Sequence, residues 1–92
     1  MLNARFSSQF KKDYKLALRR GCKEKLFVEI LNKLLTQQSL PQKNKDHQLT
    51  GNWKNHRECH ITPDWILIYT IKNDELILEL NRTGTHSDLF KK

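Results

Sequence analysis

Apolar residues recur with the period of a helix in the first third of the chain and with the period of a strand in its last half. After MLNARFSSQ, Phe10, Tyr14 and Ala17 follow at spacings of four and three, which predicts one stripe of an amphipathic helix. Ser7 or Ser8 supplies its N-cap. Gly21 supplies its stop, because glycine tolerates the left-handed backbone found there. Phe27, Ile30, Leu31, Leu34 and Leu35 predict a second helix from about Lys23 to Gln37. The two helices form a hairpin hinged at Gly21, and Leu2 to Phe6 forms a short first strand.

Pro41 ends the helical region, and QKNKDHQLTGN, Gln42 to Asn52, is turn-rich and predicted to be a loop. WKNHRECHI then alternates. Trp53, Arg57, Cys59 and Ile61 point one way, and Lys54, His56, Glu58 and His60 the other. The turn TPD leads into WILIYTI, Trp65 to Ile71, whose aromatic and β-branched content suits a central strand. KNDE makes a hairpin turn, and ELILELNR places Leu76, Leu78 and Leu80 on one face. The predicted fold class is α+β in the order β-α-α-β-β-β, an antiparallel sheet with a helical hairpin on one face. Residues 1–92 form a single domain.

Charge sharpens this picture. The chain carries +7 overall, and residues 1–25 hold +6 of it, with eight Lys/Arg against Asp13 and Glu24. A field concentrated on the helical hairpin favours a polyanion, either nucleic acid or an acidic protein. No apolar run approaches the roughly 20 residues of a membrane span, and the N-terminus lacks the apolar core of a secretory signal. A cytoplasmic location is expected, with Cys22 and Cys59 as free thiols, although their spacing leaves a disulfide open.

The candidate chemistry gathers at one edge. The predicted meander brings His60, Asp64, Arg82 and His86 to the same end of the sheet, and His47 joins them if its loop folds back. Imidazoles with a carboxylate and a guanidinium suit RNA cleavage. One group takes the proton of the attacking 2′-OH, another protonates the departing 5′-oxygen, and a cation meets the charge on the phosphorane. Trp65 and Phe90 could stack on unpaired bases. Each residue also has a plainer reading. Arg82 could pair with Glu79 or Asp88, Trp65 could belong to the core, and Phe90 could plug it. A non-catalytic module binding nucleic acid or protein through the basic face is the alternative function. His56 and His60 have the spacing of metal ligands on a helix, but four strand residues span about 13 Å, so no metal or other cofactor is expected.

The run KDHQLTGNWKNHRECHITPDWILIYTI with NRTGTHSDLF resembles the YafQ-type branch of the RelE-like toxins of bacterial toxin–antitoxin systems. The resemblance covers nearly the whole chain. It implies an α+β ribonuclease fold, mRNA cleavage in the ribosomal A site, a cognate antitoxin that wraps the toxin, and operator DNA bound through that complex. It further implies His47, His60, Asp64 and His86 as catalytic residues, and Trp65, Arg82 and Phe90 as substrate-binding residues.

Overall fold

A computed structural model describes residues 1–90. The strands are β1 (Asn3–Phe6), β2 (His47–Gln48), β3 (Arg57–Thr62), β4 (Trp65–Lys72) and β5 (Ile77–Gly84). The helices are α1 (Ser8–Arg19), α2 (Glu24–Leu35) and α3 (His86–Leu89). The predicted helical hairpin is present, hinged at Gly21 with φ of 97°. Ser7 caps α1 by accepting from the Phe10 N–H at 2.9 Å.

The sheet differs from the expected one in two respects. It has five strands in the order β1-β5-β4-β3-β2, and β1 runs parallel to β5, so it is mixed rather than antiparallel. The fifth strand, β2, lies in the segment predicted to be a loop and pairs antiparallel with β3. The strand expected from Trp53 begins only at Arg57, because Gly51–Trp53 forms a 3₁₀ turn. Leu76, expected on a strand face, sits before β5 in a left-handed conformation and is 53% exposed.

The helices bury Phe10, Ala17, Phe27, Ile30 and Leu34 against Cys59, Leu67, Tyr69, Leu78 and Leu80 of the sheet. The opposite face, which no predicted element covers, carries a smaller cluster. There Ile66, Ile68 and Leu89 are buried, with Leu49, Trp53 and Phe90 packed against them. Both faces of β4 are therefore apolar, which is why WILIYTI shows no alternation. A bulge between β4 and β5 sets the side from which Arg82 projects. Leu80 lies opposite Tyr69, but Arg82 lies opposite Ile68, with Asn81 as the extra residue. That single residue moves Arg82 off the helix-facing side that Leu78 and Leu80 share.

Both cysteines are free thiols. Burial pushes the Cys59 thiol well above its ordinary range, so it is an inert core residue.

Candidate active site

Two rows of residues cross the face away from the helices. In the first, His47 on β2 lies opposite Glu58 on β3, Glu58 opposite Ile68 on β4, and Ile68 opposite Arg82 on β5. In the second, His60 lies opposite Ile66, and Ile66 opposite Gly84. A strand spacing of about 4.8 Å sets His60 and Gly84 roughly 10 Å apart. Two residues beyond Gly84, His86 opens α3.

The segment carrying His47 does fold back, and three hydrogen bonds pin it. Buried Asn44 donates from Nδ2 to the His60 carbonyl at 2.6 Å. Asp46 accepts from the Tyr69 hydroxyl and from Arg57 Nε. His47 then has both ring nitrogens beside acceptors. Its Nδ1 is 2.7 Å from the Lys45 carbonyl oxygen, and its Nε2 is 3.1 Å from Glu58 Oε1. A neutral imidazole has one N–H, so only the imidazolium donates to both. The Glu58 side chain is 7% exposed while that of His47 is 51% exposed. A buried carboxylate thus anchors an accessible imidazole, which donates at both nitrogens when protonated.

His60 is half-buried, and its Nδ1 is 3.4 Å from the Pro63 carbonyl oxygen. A carbonyl only accepts, so this contact favours Nδ1–H and leaves the Nε2 lone pair to take a proton. Asp64 is exposed in the two-residue turn that joins β3 to β4. The His86 ring is exposed and 5.0 Å from that of Phe90, which in turn stands edge-on to Trp53 at 6.3 Å. Phe90 is both an apolar plug and a half-buried surface beside His86.

α3 is short, and a capping box holds it in place. Thr85 Oγ1 accepts from the Asp88 N–H at 3.1 Å, and Asp88 Oδ2 accepts from the Thr85 N–H at 2.9 Å. The same carboxylate pairs with Arg20 of α1 at 2.7 Å. Gly84, at φ of 156°, lets the carboxylate approach, because a Cβ there would stand 2.9 Å from Asp88 Oδ2. Arg20, and then the Thr85 N–H, hold the Asp88 carboxyl down at about 2, against an ordinary 3.8. The pKa is lower in the folded chain than in the unfolded one, so the stabilisation is complete above about pH 5 and is lost as pH falls through 4 towards 2. Asp88→Asn should therefore melt several degrees below the wild type at pH 7, and the gap should close by pH 2 in thermal melts across that range.

Two sequence-predicted site residues lie elsewhere. Trp65 faces the helices, 2% exposed, with its ring centroid 6.5 Å from those of Tyr14 and Phe27. It presents no surface to a nucleotide. Arg82 starts on the face with the histidines, but its guanidinium reaches round the β5 edge to Asp13 of α1, with Nε at 2.7 Å and Nη2 at 3.2 Å from the carboxylate. Neither Glu79 nor Asp88 is its ion-pair partner. The sequence reading missed Asp13 and Asp46. The signal for Asp13 was present, since it falls three residues after Phe10 and four before Ala17, on the buried stripe of α1. Among the described residues, no three His, Cys, Asp or Glu side chains are grouped closely enough to hold a metal ion, and no helix is long and apolar enough to cross a membrane.

A family model described as the YafQ bacterial toxin of type II toxin–antitoxin systems matches residues 2–91. This chain belongs to the YafQ toxin family. The mRNA interferase toxin YafQ of Escherichia coli K12 is 45% identical over 87 residues, covering 92% of this chain and 91% of that protein. Among solved structures, a metal-bound toxin from Helicobacter pylori is 44% identical with a TM-score of 0.92, covering 98% of this chain and all of that one. The YafQ chain of the E. coli DinJ–YafQ complex is 40% identical with a TM-score of 0.87, covering 98% and 99%. The five-stranded mixed sheet under two N-terminal helices is accordingly the fold of YafQ toxins.

Proposed function

We propose that this YafQ-family toxin is an mRNA interferase, an endoribonuclease that cuts message in the ribosomal A site with its own side chains as acid and base. The observation that carries the reading is the strand register, which sets the His47–Glu58 pair and His60 in adjacent rows beside the strand end leading to His86.

In the reaction, the ribose 2′-OH attacks the neighbouring phosphorus and its proton passes to a base, His60 Nε2 or Asp64. The P–O5′ bond breaks, and His86 protonates the departing oxygen. The imidazolium of His47, held by Glu58, and the guanidinium of Arg82 meet the negative charge that builds on the phosphorane. Phe90, with Trp53 behind it, offers an apolar surface against which a base can stack, a contact worth about 1–3 kcal/mol.

The opposite side of the molecule supports delivery to the ribosome. Lys11, Lys12, Lys15, Lys23 and Lys25 are all exposed on or beside the helical hairpin. If six phosphates are contacted, affinity for ribosomes should fall on the order of 10³-fold between about 50 and 200 mM salt. Replacing Lys11, Lys12 and Lys15 by glutamine should flatten that dependence, measured by co-sedimentation. In the cell a cognate antitoxin would silence the toxin, and the pair would bind operator DNA. The E. coli relative is known as a complex with DinJ.

Primer extension on messages from a translating extract tests the activity. Wild type should produce new 5′ ends within codons, and only when ribosomes are present. Binding to RNA without any new ends would favour the non-catalytic module instead.

A further inference from the structure

Arg82 is gripped from another element. The Asp13 side chain on α1 is 9% exposed, and its carboxylate accepts four hydrogen bonds. They come from Arg82 Nε at 2.7 Å, Arg82 Nη2 at 3.2 Å, the Thr83 N–H at 3.2 Å and Gln9 Nε2 at 3.0 Å. The Thr83 bond has a topological origin. The β1–β5 ladder ends at Phe6–Leu80, so the β5 edge beyond it has no strand partner; the Ser7 hydroxyl bonds the Asn81 carbonyl there, and Asp13 takes the Thr83 N–H.

We propose that Asp13 is a positioning residue for cleavage, one that acts through Arg82. The proposal rests on the reading of this face as a ribonuclease site. A guanidinium has five N–H donors. Engaging Nε and one Nη2 proton leaves both Nη1 protons and the second Nη2 proton as an oriented edge for phosphate oxygens. An unpaired arginine would sample many rotamers and would have to be ordered each time substrate bound. The carboxylate also ties the site to the basic helix. Asp13 is the one acid in α1, in the same turns as Lys11, Lys12 and Lys15, so the element assigned to gripping ribosomal RNA also fixes the arginine that meets the scissile phosphate.

The plain alternative is a salt bridge that seats α1 on the sheet edge and nothing more. Asp13→Asn separates the two. An amide oxygen in the place of Oδ2 still accepts from the Thr83 N–H and from Arg82 Nε and keeps α1 seated. The amide NH₂ then faces Arg82 Nη2 donor to donor, so the two-point grip that orients the guanidinium is lost. In single-turnover cleavage on programmed ribosomes, the rate should fall by about 10²-fold, the scale of loss for a misplaced reacting group, with ribosome affinity unchanged. The Asp13→Asn/Arg82→Ala double variant should be no slower than Arg82→Ala, since one residue acts through the other. If the two losses multiply, or if Asp13→Asn cleaves like wild type while Arg82→Ala is impaired, the positioning role is overturned and the nuclease reading survives. If Arg82→Ala cleaves at the wild-type rate, the role of Arg82 falls and the proposal with it. A measurement on the wild-type protein covers the case in which Asp13→Asn does not fold. The Arg82 Nε–H should exchange with solvent far more slowly than that of exposed Arg19 by NMR, and equal rates would overturn the grip.

Discussion

His86→Ala should lower message cleavage in a translating extract by roughly 10²- to 10⁴-fold, the usual contribution of a positioned general acid, while the protein melts close to the wild-type temperature. The two halves of that expectation come from different observations. His86 is exposed, and its ring contacts Phe90, but the fold around it does not depend on its side chain. α3 is held by Thr85 and Asp88, and it is anchored to the sheet by Leu89. Truncating an exposed side chain in that position typically changes stability by no more than about 0.5 kcal/mol. Growth arrest on expression should disappear with the activity. A variant that stays fully toxic would remove His86 from the role of acid.

Trp65→Ala should do the reverse. Trp65 lies under the helices with Tyr14 and Phe27, so its truncation leaves a cavity where the hairpin meets the sheet. Losses of about 3–5 kcal/mol accompany such a change. For a domain of this size each kcal/mol lowers the melting temperature by about 4–8 °C. Trp65→Ala should therefore lose activity because it unfolds, with a melting point lower by tens of degrees. Trp65→Phe should stay folded and active, because the indole N–H has no hydrogen-bond partner among the described residues and nothing is left unpaired by its removal. A Trp65→Ala protein with an unchanged melting point and lost cleavage would instead mean that the ring touches RNA.

Trp65 also shows where sequence reasoning reached its limit. The Pro-Asp-Trp corner, the helical hairpin and the return of β5 to that corner were all legible, because they follow from helical period, turn chemistry and strand order. The side on which Trp65 lies was not. Parity along a strand can be read only when one face is polar, and β4 is covered on both faces, by the hairpin and by α3. The parallel β1–β5 pair was illegible for another reason. All four β1 residues are exposed, so no apolar pattern marks the strand's partner. The bulge at Asn81 leaves no compositional trace, yet it decides which face Arg82 starts from. His47 is intermediate. Its place needed the loop to fold back, and that depends on tertiary contacts made by Asn44, Asp46 and Tyr69.

The end chemistry of the cut message tests the central claim most directly. If the 2′-OH is the nucleophile and His86 protonates the leaving oxygen, the upstream fragment ends in a 2′,3′-cyclic phosphate and the downstream fragment begins with a 5′-hydroxyl. Fragments from ribosomes treated with the wild-type toxin should therefore accept label from polynucleotide kinase without prior phosphatase treatment. Downstream fragments bearing a 5′-phosphate would contradict the account, because water rather than the ribose would then have attacked the phosphorus.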